Sequence, residues 1–78
     1  MNTVLRAVRT KKGLSIDKVK GVVGVNKSSF SRWEVRLQRI GREKQEALAA
    51  YFGMKREELF DERDFARVEK EGREGENT

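Results

Sequence analysis

Apolar residues along the chain recur at three- and four-residue spacing, in runs opened by capping residues and closed by glycines. Over Thr3 to Lys12, Val4, Leu5 and Val8 fall within about 100° of one another on a helical wheel, which predicts a first helix that Gly13 ends. Ser15 is placed to cap a second helix, with Asp17 in the first turn, where the positive end of the helix dipole favours an acid. Its apolar positions are Val19, Val22 and Val23. With three β-branched residues and Gly21 its propensity is poor, so packing must hold it. Gly24 can take the positive φ of a sharp turn, Val25 can drop into the core, and Asn26 can cap a third helix from Lys27 to about Arg36. On that helix Phe30, Trp33, Glu34 and Leu37 share one side, and Ser28, Ser31, Arg32 and Val35 the other.

A fourth helix is predicted over Arg42 to Phe52, closed by Gly53, and a short fifth over Lys55 to Phe60 offers Leu59 and Phe60 to the core. No stretch alternates apolar and polar residues long enough for a strand, and no repeat is visible. The reading is all-α: a domain of five short helices over residues 1–60, then a charged tail over 61–78. Phe65 and Val68, spaced i, i+3, leave open a helical extension of the tail to about Glu69, whereas Glu71 to Thr78 read as disordered.

Seventy-eight residues suffice for one domain near the lower limit at which an apolar core holds without staples. The chain has no cysteine and no histidine, which removes disulfides, thiolate metal sites, the commonest metal ligand and the usual neutral-pH general base. No spacing suggests a nucleophile with its base, so no catalytic residue, metal site or cofactor is expected and an enzyme is a remote reading. No apolar run approaches the roughly 18 residues of a membrane-spanning helix, and no membrane role is expected. Residues 1–56 carry 14 Lys/Arg against 4 acids, whereas residues 57–78 carry 4 against 9. A basic body with an acidic tail points to a polyanion partner for the body.

Helix, glycine-containing turn, helix at this spacing is the pattern of a helix-turn-helix, whose second helix enters the DNA major groove. Counting from Ile16, apolar residues Val19, Val23, Val25, Phe30 and Trp33 stand where two steeply crossing helices share one small core, with Gly24 at the turn. Over about residues 4–60 the chain resembles the Xre family of regulators, which includes the Cro and CI-type phage repressors. The segments "VLRAVRTKKGLS", "GVNKSSFSRWE" and "LAAYFGMKREELF" look like that family's first helix, its turn and recognition helix, and its closing helices.

The resemblance implies a compact, lambda-repressor-like five-helix domain that binds a double-stranded DNA operator, commonly as a homodimer on a pseudo-palindrome. It implies a transcriptional regulator, in first expectation a repressor, in the cytoplasm and at the nucleoid, encoded by a bacterium or phage. The family's base-reading places fall on Lys27, Ser28 and Arg32, whose donors suit guanine and, for serine, several bases. Phosphate contacts are expected from Ser15 and the backbone near Ile16, from Ser29 and Ser31, and from Arg36, Arg39 and Arg42. The family pairs the glutamate matching Glu34 with the first-helix arginine matching Arg9, a structural ion pair that would remove the cost of a core-facing acid.

Lys20, Gln45, Arg42 and Ile16 depart from the family's habit. Lys20 stands where a small residue is usual. Gln45 and Arg42 occupy fourth-helix places that are usually aliphatic, and Ile16 replaces a common phosphate-binding glutamine. Gln45 needs either hydrogen-bond partners or a partly exposed position, for which a subunit interface beside the fourth and fifth helices is one expectation. A second functional reading is a protein-interaction module of the same fold, antitoxin-like or a co-regulator, gripping a partner through the 61–78 tail with Phe65 and Val68.

Overall fold

Capping chemistry sets most helix starts in the computed structural model, which describes residues 2–69. The order is α1 (Val4–Lys11), α2 (Ile16–Val23), α3 (Lys27–Glu34), α4 (Arg42–Phe52) and α5 (Arg56–Leu59). Thr3, Ser15 and Asn26 cap α1, α2 and α3 by accepting the N–H groups of Arg6, Lys18 and Ser29. At α5 the Glu58 carboxylate reaches back to the N–H of Lys55 at 2.8 Å. Between α2 and α3 the chain reverses through Gly24 at φ 66°, a left-handed conformation that L side chains adopt at a cost, and its N–H closes on the Lys20 carbonyl at 2.9 Å.

The core lies where α1, α2, α3 and α4 converge on Leu5, Val19, Phe30, Trp33, Leu48 and Phe52, closed below by Leu59 and Phe60. Phe30 and Trp33 pack with ring centroids 5.6 Å apart, so the aromatic residues of α3 fix how that helix sits on the rest. All regular structure among the described residues is helical, and no helix there is long and apolar enough to cross a membrane.

Several expectations are corrected. The third helix stops at Glu34, because Arg36 takes φ 62° and turns the chain, and Leu37 is therefore 73% exposed rather than buried beside Trp33. Ile40, which the periodicity leaves unassigned, is buried in its place. Val22 faces outward at the edge of α2. For Gln45 the hydrogen-bonding alternative holds: it is fully buried within the one chain, its amide nitrogen donating to the Ile40 carbonyl and to Asp64 and its oxygen accepting from Arg56. Both donors of the amide and its oxygen are then bonded inside one chain.

Residues 61–69 do not extend α5. Asp61 accepts the N–H groups of Arg63 and Phe65 on its side chain, a turn that competes with continued helix, and Asp64 follows at φ 71°. The segment then runs extended as a strap. Ala66 bridges Phe60 and is buried, Val68 bridges Thr3, and the N–H of Val4 donates to the Arg67 carbonyl at 2.8 Å. The described tail residues are therefore part of the packed domain, and the disorder expected for residues 71–78 lies outside the described residues.

Candidate nucleic-acid interface

α3 has two faces of opposite chemistry. Its inner face buries Phe30, Trp33 and Glu34. An acid in that position is tolerable because Arg9 of α1 meets it with two parallel hydrogen bonds, Nε to Oε2 at 2.6 Å and Nη2 to Oε1 at 3.1 Å. The third arm of the guanidinium donates to the Leu14 carbonyl at 2.7 Å, which ties the α1–α2 loop to the same point. Thr3 completes the anchorage: its hydroxyl caps α1 and donates to the Glu34 carbonyl at the end of α3. Sequence reasoning placed Thr3 within the first helix and did not single it out.

The outer face carries Lys27, Ser28, Ser31 and Arg32. With Val35 and Leu37 they line one open concavity of about 430 Å³. Among the described residues neither Lys27 nor Arg32 makes an ion pair or a side-chain hydrogen bond, so both cations are available to an outside partner. Eight residues make a helix about 12 Å long, comparable to the width of the B-DNA major groove. The three residues expected to read bases, Lys27, Ser28 and Arg32, are thus brought together with Ser31 on one exposed surface.

The residues expected to bind phosphate divide into two groups. Ser15 is exposed at the start of α2, and Ser29 is half-buried with its N–H held by Asn26. Arg39 is exposed, its guanidinium 5.8 Å from the centre of the Phe65 ring. Arg36 is committed inside the domain: Nη1 bonds both Asp61 and the Ala66 carbonyl at 2.8 Å, and the guanidinium lies 5.4 Å from the same ring. These bonds give Arg36 a structural role within the domain. Arg42 pairs with Asp64 at 2.9 Å while remaining more than half exposed.

Both of these aspartates respond to their surroundings. Burial pushes the Asp61 carboxyl up, but the N–H of Phe65, the Arg36 guanidinium and the N–H of Arg63 together outweigh it and hold the group below its ordinary value. The Gln45 amide, with Arg42 beside it, holds Asp64 below its ordinary value in the same way. Of the tail residues offered for a protein partner, Phe65 lies against two arginines, whereas Val68 pairs with Thr3 through its backbone and keeps its side chain exposed.

Sequence reasoning set Val35 on the face of Ser28, Ser31 and Arg32, where the structure has it, but put Leu37 on the inner side with Phe30 and Trp33. The signal that could have found Leu37 is a helix too short to carry it inward. Compared with known families, residues 3–61 match the family model described as a helix-turn-helix domain. The match spans α1 to α5. No match was found among curated proteins or among solved structures.

Proposed function

The chain belongs to the helix-turn-helix domain family, and on that premise we propose that it is a sequence-specific double-stranded DNA-binding regulator whose α3 reads the major groove. The observation that carries this reading is the outer face of α3, where Lys27, Ser28, Ser31 and Arg32 converge with no partner for either cation among the described residues. Arg32 is the principal base reader, donating to O6 and N7 of a guanine, with Lys27 and Ser28 beside it. Ser15, Ser29, Ser31 and Arg39 hold the phosphate backbone in register without reading sequence, and Arg42 adds to them by virtue of its exposure.

The regulator acts as a repressor by occupying its operator, as a homodimer on half-sites about one helical turn apart. The resemblance to Cro and CI-type proteins supports these last points, and no catalytic step is part of the proposal. Enrichment of random duplexes on the purified protein tests it. A two-fold symmetric motif is expected, with affinity falling steeply as salt rises. Arg32→Ala should cost about 1–3 kcal/mol and relax preference at one base pair. An equal loss on every duplex would remove Arg32 from base reading.

A further inference from the structure

α3 ends in a hydrogen-bond pattern that has a consequence for the outer face. The N–H of Leu37 donates to the Arg32 carbonyl at 2.9 Å and the N–H of Arg36 to the Trp33 carbonyl at 3.2 Å, the paired bonds of a Schellman termination. The left-handed residue of such a motif is usually glycine. Here it is Arg36 at φ 62°, held by Asp61 and the Ala66 carbonyl of the strap. In this motif the residue in the place of Leu37 ordinarily packs on an apolar residue one turn back. At those places this chain has Arg32 and Ser31, both on the outer face. Leu37 is thereby delivered onto the polar surface, where it is 73% exposed and lines the same concavity as Lys27, Ser28, Ser31 and Arg32.

Val22, Tyr51 and Val68 are also exposed, but none of them lines this concavity. Scattered single apolar residues need no explanation. An apolar side chain set among two cations and two serines is different, because a polyanionic partner must present an apolar group to it. In the major groove that group is the C5-methyl of thymine. We propose that Leu37, with Val35 beside it, is a specificity-determining residue that packs on a thymine methyl. The inference rests on the DNA-binding reading of the same surface.

The test uses the full chain, a duplex it has selected from a random pool, and copies of that duplex in which each thymidine in turn is replaced by deoxyuridine. That replacement removes one methyl and no hydrogen-bonding group. Burial of one methyl corresponds to about a fourfold change in affinity. The wild-type protein should lose about fourfold at one or two thymidines of each half-site. Leu37→Ala should lose a similar factor on the thymidine duplex and nothing further on the deoxyuridine copies, with its circular dichroism unchanged because the side chain packs outside the core. Retained methyl sensitivity in Leu37→Ala, or no sensitive thymidine in the wild type, overturns the proposal. So does loss of self-association in Leu37→Ala with methyl-blind binding, which would assign the residue to a protein contact. Failure to select any duplex is a separate outcome that overturns the DNA-binding reading, and this inference with it.

Discussion

Arg36 offers a test in which two opposing effects can be weighed. Its backbone stands at φ 62°, where a residue other than glycine costs roughly 1–2 kcal/mol, yet its guanidinium bonds Asp61 and the Ala66 carbonyl, both at 2.8 Å. Hydrogen bonds to a charged group contribute about 1.5–3 kcal/mol when shielded. The side chains of this pair are 26% and 18% exposed, so screening lowers the yield and about 2–3 kcal/mol for both bonds together is reasonable. Arg36→Ala loses the anchor and keeps the backbone cost, so it should destabilise by about 2–3 kcal/mol. Arg36→Gly loses the same anchor but relieves the backbone. Glycine's greater freedom in the unfolded chain takes back about 0.4–1 kcal/mol, leaving Gly roughly 0.5–1 kcal/mol more stable than Ala. Equilibrium urea unfolding followed by fluorescence of the single tryptophan, Trp33, measures all three proteins on one scale. A glycine variant as stable as the wild type would refute the anchoring role of the guanidinium. An alanine variant at least as stable as the glycine one would refute the left-handed geometry.

Removing one partner of the buried pair, Glu34→Ala, strands Arg9 and should cost about 3–5 kcal/mol, whereas replacing both by apolar residues of similar volume should cost far less; denaturation midpoints of the single and double variants decide it. Gly21 lies on the exposed side of α2 with nothing within 4 Å of an added Cβ, so Gly21→Ala should raise stability by about 0.5–1 kcal/mol, read as a higher melting temperature. Asp61 and Asp64 are held below their ordinary values, so the stability they contribute is complete above the unfolded carboxylate value, about 3.9, and is lost as pH falls from there through their folded values. With no histidine in the chain, stability should be nearly flat from about pH 6 to 8 and fall on the acid side, and Asp61→Asn should make the acid limb shallower.

What could be read from the sequence was what local chemistry controls. Ser15 and Asn26 announce their caps, Gly24 the turn, and the spacing of Phe30 and Trp33 the inner face of α3, so the two-faced helix followed directly. What escaped depends on groups far apart in the chain. Arg36 carries no glycine signal for its left-handed turn, because the conformation is held by Asp61 and Ala66 some 25 to 30 residues away. With that turn unseen, Leu37 was assigned to the core and Ile40 to none. For Gln45 the choice between hydrogen-bond partners and an interface stayed open because the partners, Asp64 and Arg56, come from two other segments. The tail read as a charged appendage for the same reason: its apolar Phe65 and Ala66 find arginines and core only after the chain has folded back.

The pairing of Thr3 with Val68 joins positions 65 residues apart. Closing so long a loop is entropically costly until the helices between have assembled, so the strap is expected to dock late in folding and to lift first in unfolding. Substitutions there should change the unfolding rate far more than the folding rate. Because the strap also grips Arg36, lifting it releases the turn that sets Leu37 beside Arg32, while the Arg9–Glu34 anchor still holds the helix itself. Hydrogen exchange should therefore find the bonded amides of residues 35–37 opening more often than the helical amides from Phe30 to Glu34, which leaves the helix and the turn that follows it, both part of a single reading surface, with different lifetimes.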